Sequence, residues 1–223
     1  MNQKLVTLKD TGFKMAKIPK VLFHGTTKLR YEVGIPHNGA LTSIKNEGLR
    51  SDVPPHMKVD LEHLGWVYLC GSIEDAKFYA LYQVEMDNLV PELHEAQNMV
   101  QEVNCGSVIA VRTSLIKGSI EEDPEYEKWR KVYRQHGIPE VILNSKTGGM
   151  YGKWYRHKGN IPKKFCMGMY DLPISSQSPM LIEIMKAQAN ERYETNKIKI
   201  LQDLIKELKM ADNLSVRINE NQN

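Results

Sequence analysis

The stretch Gly65-Trp66-Val67-Tyr68-Leu69-Cys70-Gly71-Ser72-Ile73-Glu74-Asp75-Ala76-Lys77-Phe78-Tyr79-Ala80 holds a change of period that decides the fold class. Its first part, Gly65 to Cys70, is apolar and aromatic and predicts a strand. Ser72 then opens a helix, and Asp75 three residues later resembles a capping box. Phe78, Leu81, Tyr82 and Glu85 follow at helical spacing. A strand feeding a helix through a small-residue turn is one unit of a mixed fold.

Upstream, Val21-Leu22-Phe23 predicts a strand running into His24-Gly25-Thr26-Thr27. Residues 41–47 predict a short helix with Gly48 as its C-cap. Asp52-Val53-Pro54-Pro55-His56 reads as loop. Downstream, Val90-Pro91 divides the Ser72 helix from a second one through about residue 102. Ser107 to Arg112 is a second clear strand. Asp123-Pro124 opens a helix by cap and proline logic, with Gly137 closing it. Glu140-Val141-Ile142-Leu143-Asn144 is a third strong strand. From Ser178-Pro179 onward the chain is nearly free of glycine. There Ile198, Leu201, Ile205 and Leu208 place one apolar stripe on a helix. The expected organisation is an α+β domain over residues 1–173 and a helical extension over 174–223.

The chain has 223 residues, of which 41% are hydrophobic and 26% charged, which suits a globular domain with a real core. No run approaches the roughly 18–20 apolar residues that span a bilayer. The N-terminus has no apolar h-region, so no secretory signal and no membrane partner are expected. Cys70, Cys105 and Cys166 are three, an odd number without a CxxC pair, which argues against a disulfide scaffold and for a reducing, cytoplasmic setting. The net charge of +3 is too small by itself to name a nucleic-acid partner.

Three places carry candidate chemistry. A histidine beside a glycine at a strand end, His24-Gly25, offers a hydrogen-bonding ring next to backbone that a ligand can approach. The other reading is a plain strand-to-turn junction. Tyr79 and Tyr82 share a helix face by spacing, as a stacking surface or as core. Glu140 opens an apolar strand after Gly137-Ile138-Pro139. It is either a solvated edge residue or a carboxylate that stabilises developing positive charge.

Together, LFHGTT, GWVYLCGSIEDAKFYA and PEVILN resemble the signature segments of the ADP-ribosyltransferases of the poly(ADP-ribose) polymerase and diphtheria-toxin type, which use a His-Tyr-Glu set. In the polymerase branch the strand tyrosine and the helix tyrosine are eleven apart, the spacing of Tyr68 and Tyr79. The resemblance covers residues 20–170 and is specific in those three segments. It implies a split β-sheet core with flanking helices, NAD+ as co-substrate and no metal. It implies that His24 bonds the adenosine ribose, that Gly25 backbone holds the nicotinamide amide, and that Thr26, Tyr68 and Tyr82 help line the site. It further implies that Tyr79 stacks on the nicotinamide and that Glu140 stabilises the oxocarbenium-like ribose. Small stand-alone members from bacteria and phages are often toxins or defence effectors. The apolar stripe of the C-terminal helix is expected to be buried, either on the domain or on a partner protein such as an inhibitor or antitoxin.

Two departures narrow it. Arginine-specific relatives carry Ser-Thr-Ser on the second strand and an acid two before the catalytic glutamate; here those positions hold Leu69-Cys70-Gly71-Ser72 and Ile138. The long gap between His24 and Tyr79 implies an insertion over residues 50–64.

Between Glu140 and Asp171 there is no acidic residue, while Lys146, Lys153, Arg156, Lys158, Lys163 and Lys164 interleave with Tyr151, Trp154 and Tyr155. One reading is an acceptor surface for single-stranded RNA, built on Lys153, Trp154, Tyr155, Arg156 and Lys158. The other is a solvated hairpin over a small aromatic cluster. A protein acceptor with an acidic surface would use the same residues. His56 and His63 lack a third metal ligand nearby and read as surface residues. The competing functions are a tRNA 2′-phosphotransferase-like enzyme, for which Arg50 and His56 are loose matches, and a non-catalytic module that binds NAD+ or ADP-ribose.

Overall fold

The computed structural model describes residues 18–37, 40–51, 65–135 and 152–195. The elements are β1 (Val21–Thr27), α1 (Lys28–Glu32), β2 (Ile35–His37), β3 (Ala40–Thr42), α2 (Ile44–Glu47) and β4 (Gly48–Leu49). Then come β5 (Trp66–Cys70), α3 (Ile73–Asn88), α4 (His94–Gln97), β6 (Cys105–Arg112), β7 (Ile120–Glu122) and α5 (Pro124–Gln135). β8 (Trp154–Lys158), β9 (Ile161–Pro162) and β10 (Cys166–Pro173) follow. A last helix, α6, runs over residues 179–195.

Six strands form one sheet in the order β10-β6-β1-β5-β8-β7, every pairing antiparallel. The fold is therefore mixed, with helices packed on an antiparallel sheet, as the α+β expectation requires. β1 pairs with β6 along its whole length, from Val21–Arg112 to Thr27–Gly106. Its pairing with β5 is a single position, Phe23–Cys70.

The two sheet faces bury different sets because strand side chains alternate. Leu22, Val67, Leu69, Ile109, Val111 and Tyr155 face one core, closed by Leu49, Ile161 and Phe165. Phe23, Cys70 and Val108 face α3, where Ala76 and Ala80 make the contact. That contact is close because both strands present glycine. A Cβ on Gly106 would lie 3.1 Å from Ala80, and one on Gly25 only 2.2 Å from the Ala76 carbonyl oxygen. α6 then covers α3 and β10. Its Met185 packs with Leu81 and Leu172, Ala189 is fully buried, and Tyr193 reaches Leu29, Val90 and Leu93. Each large apolar side chain so buried contributes about 1.5–3 kcal/mol. Residues 179–195 thus lie on the domain, while Ile198, Leu201, Ile205 and Leu208 fall outside the described residues.

Two expected helices are shorter than the sequence suggests. Residues 40–42 pair with β2 as a strand, and the helix begins only after Ser43, which is extended at φ −96°, ψ 144°. Gly48 does close it, at φ +92°, a conformation only glycine adopts without strain. Beyond Val90, a turn of 3-10 helix (Pro91–Leu93) and the four residues of α4 replace the helix expected through residue 102. Gly137 and the strand expected over Glu140–Asn144 lie outside the described residues, as do Asp52–His56.

Candidate functional site

The site is built where β1 and β5 part. Continuing the Phe23–Cys70 register would set Gly25 opposite Tyr68, but the strands do not pair there. Instead the imidazole of His24 bridges the gap, its Nδ1 lying 2.9 Å from the Tyr68 carbonyl oxygen. A carbonyl only accepts, so Nδ1 carries the proton and donates. Burial pushes the imidazole below its ordinary value of 6.5, against the bond to Tyr68, and the Arg30 cation lowers it further. His24 is therefore neutral at pH 7, and its Nε2 is a bare acceptor suited to a hydroxyl donor.

His24 lies in the middle of β1 rather than at its end, and the last residues of the strand are held from behind. Thr26 and Thr27 are buried, and Thr27 Oγ1 donates to Asp87 Oδ2 at 3.0 Å while accepting the Arg30 backbone N–H at 3.2 Å. Asp87, near the end of α3, also accepts from Arg30, with Nε 2.9 Å from Oδ2 and 3.1 Å from Oδ1, and Nη2 2.6 Å from Oδ1. Gln83 adds a third donor at 3.0 Å. This buried network ties the end of β1 and α1 to α3, and so fixes the His24 segment against the helix that carries Tyr79.

Tyr79 and Tyr82 do not act as a pair. Tyr79 points to β8, its ring 5.8 Å from Trp154 at an interplanar angle of 75°, and it borders Gly25. Trp154 in turn meets Tyr126 of α5 at 5.4 Å. Among the described residues the Trp154 indole N–H is buried without a hydrogen-bond partner. Tyr82 sits one helix facet away, among Phe78, Leu172 and Met185 under α6. Burial raises its phenol. Tyr68 lies on the sheet face shared with Arg156, and burial, followed by the Asp123 carboxylate, raises its phenol too.

The basic run looks different in space than along the chain. β7 pairs with β8 so that Glu121 faces Arg156 and Glu122 faces Tyr155. Arg156 Nε bonds Glu121 at 2.6 Å, and Lys153 Nζ bonds Glu122 at 2.6 Å. The Arg156 guanidinium also lies 4.1 Å over the Trp66 ring. Tyr155 is 5% exposed and belongs to the core. Lys158, Lys163 and Lys164 are exposed and, among the described residues, have no carboxylate partner. Lys146 and Tyr151 lie outside the described residues. The acid-free stretch in sequence is thus partly neutralised by acids from another strand, which no linear scan reveals.

Glu140, His56 and His63 also lie outside the described residues, and Arg50 pairs with Glu47 at 3.2 Å. Sequence reading gives Asp75 only a capping-box role and gives no role to His157. Asp75 is fully buried on the first turn of α3, where its Oδ2 accepts the Gly152 N–H at 2.9 Å. His157 is a buried residue of β8 and is held by Ser119 Oγ and the Gly159 carbonyl, both at 2.9 Å. Alternation of Tyr155 and His157 with charged residues was the available signal for that strand. Among the described residues, Glu102, Cys105 and Asp171 have metal-like spacing, but the Lys28 ammonium sits 3.0 Å from both carboxylates and holds them as an ion-pair knot. Burial keeps the Cys105 thiol protonated.

No family model and no curated protein matches this chain. Among the described residues, no helix is long and apolar enough to cross a membrane.

Proposed function

We propose that the chain is an NAD+-dependent mono-ADP-ribosyltransferase that modifies a macromolecule, single-stranded RNA in the first instance. The observation that carries this reading is the junction of β1, β5 and α3. His24 bonds the backbone of Tyr68, and Tyr79 Cβ lies 3.0 Å from where a Cβ on Gly25 would stand, so four residues of the signature-like segments share one neighbourhood. The single-position contact between β1 and β5 supports the split-sheet form of that fold.

The chemistry follows from NAD+ itself. Its nicotinamide is a cationic leaving group on an anomeric carbon. The C1′–N bond breaks with its electron pair passing to the nicotinamide nitrogen, and the ribose becomes oxocarbenium-like. A nucleophile of the acceptor attacks C1′ and releases its proton. The protein must grip the dinucleotide and supply negative charge. Neutral His24 accepts a ribose hydroxyl on Nε2, the Tyr79 ring stacks on the nicotinamide, and Glu140 stabilises the cation, a contribution of about 3–4 kcal/mol.

The test uses NAD+ radiolabelled in the adenylate, incubated with cell RNA and protein. Label on a macromolecule is expected, lost with ribonuclease. Loss with protease instead identifies a protein acceptor, and label on nothing refutes the reading. Glu140→Gln should keep the fold and lower transfer by about 10²–10³. Tyr79→Ala should weaken NAD+ binding while Tyr79→Phe stays near normal, since stacking needs only the ring.

A further inference from the structure

The start of β8 is attached to α3 by more than sheet pairing. Gly71 N–H donates to the Lys153 carbonyl at 2.8 Å, and Gly152 N–H donates to Asp75 Oδ2 at 2.9 Å. The fit leaves no room for a side chain, because a Cβ on Gly152 would lie 2.9 Å from the Ser72 nitrogen. Asp75 is fully buried, an unusual place for a carboxylate unless hydrogen bonds hold it. It stands one helical turn before Tyr79, so the two share a face of α3. Two residues after the Gly152 anchor comes Trp154, whose ring meets Tyr79. Its carbonyl accepts the Asp123 N–H at 2.9 Å, and Asp123 caps α5 through Glu125 N–H at 3.0 Å. α5 then returns Tyr126 to the Trp154 ring, with the centroids 5.4 Å apart.

We propose that Asp75 is a positioning residue, which fastens Gly152 to the first turn of α3 and thereby sets Trp154 against Tyr79. Its link to catalysis rests on the reading of Tyr79 as part of an NAD+ pocket; its anchoring role does not. The bond needs an acceptor oxygen, not a charge, so Asp75→Asn keeps it and Asp75→Ala removes it. What is positioned is the stacking ring, and the consequence falls on NAD+ affinity before it falls on folding.

The experiment compares wild type, Asp75→Asn and Asp75→Ala as full chains. Hydrogen exchange at the Gly152 amide reads the anchor, nuclear Overhauser contacts between Tyr79 and Trp154 read the ring geometry, and calorimetry reads NAD+ binding. Expected are a protected Gly152 amide in wild type and Asp75→Asn, at least tenfold faster exchange in Asp75→Ala, and weaker Tyr79–Trp154 contacts there. NAD+ affinity should fall about tenfold in Asp75→Ala and stay within twofold in Asp75→Asn, at melting temperatures that leave all three folded. An unprotected Gly152 amide in wild type overturns the proposal, even if Asp75→Ala does not fold. So does an Asp75→Asn as impaired as Asp75→Ala, or a folded Asp75→Ala with unchanged ring contacts. If wild type binds no NAD+, the proposed function fails, while the exchange and ring-contact arms still decide the anchor.

Discussion

Gly25→Ala separates two reasons for a glycine at this position. The sequence suggests that a ligand approaches the backbone; the structure adds that α3 already does. The added methyl would stand 2.2 Å from the Ala76 carbonyl oxygen, 2.7 Å from the Ala80 nitrogen and 3.0 Å from Tyr79 Cβ. The two closest atoms are helix backbone, which no rotamer change can move aside. Reaching even 3.0 Å from the carbonyl oxygen requires α3 to lift by about 0.8 Å (3.0 minus 2.2) at that point. The helix cannot lift alone, since Ala80 also seats on Gly106. Overpacking of this kind costs about 1–3 kcal/mol, and in a chain of this size each kcal/mol lowers the melting temperature by about 2–4 °C. A fall of roughly 2–12 °C is therefore expected by calorimetry without any ligand present. NAD+ affinity should drop in the same variant because Tyr79 rides on the displaced helix. A melting temperature within 1 °C of wild type would refute the packing argument and leave ligand approach as the reason for the glycine.

Three further outcomes are expected. Asp87→Ala removes the acceptor from Arg30 and Thr27, whose side chains are largely buried, and should destabilise the domain by about 3–5 kcal/mol in urea denaturation; adding Arg30→Met should recover part of that loss, and no recovery would mean the pair is not coupled. His24 has its proton affinity lowered in the folded state, so the unfolded chain binds more protons in acid. Stability from this group is fully present above 6.5 and is lost as pH falls below it toward the lower folded value; His24→Asn should flatten the profile between pH 7.5 and 5.5, and an identical slope in both proteins would contradict this. Lys158, Lys163 and Lys164 together changed to Glu should weaken binding of a single-stranded oligonucleotide and its salt dependence more than Lys153→Glu with Arg156→Glu, as read by anisotropy, because the latter two are already paired with Glu122 and Glu121; the reverse ranking would remove the unpaired lysines from the acceptor surface.

The elements that sequence reading located are those written in local signals. The apolar run Val21-Leu22-Phe23 opens β1, which continues through His24-Gly25 to Thr27, Ser72 accepts the Glu74 N–H as the N-cap of α3, and Asp123 with Pro124 opens α5. Each depends on residues within a few positions of each other, so the chain carries the instruction in place. Helix ends were harder. Residues 40–42 had helical neighbours in sequence but a strand partner in β2, and the partner decided.

The site itself divides along the same line. The sequence by itself determined which residue types were available: a histidine and glycine after an apolar run, tyrosines eleven apart, a carboxylate at Glu140 and a run of lysines. Tertiary structure alone decided that His24 bonds the Tyr68 carbonyl across the gap between β1 and β5. It also decided that Tyr82 turns under α6 while Tyr79 turns to Trp154, and that Glu121 and Glu122 neutralise two of the cations. The reason is physical. Caps and periodicity act over one turn of helix or two residues of strand. The links that build this site join residues 31, 35 and 44 positions apart, through a register set by which faces the whole sheet can bury.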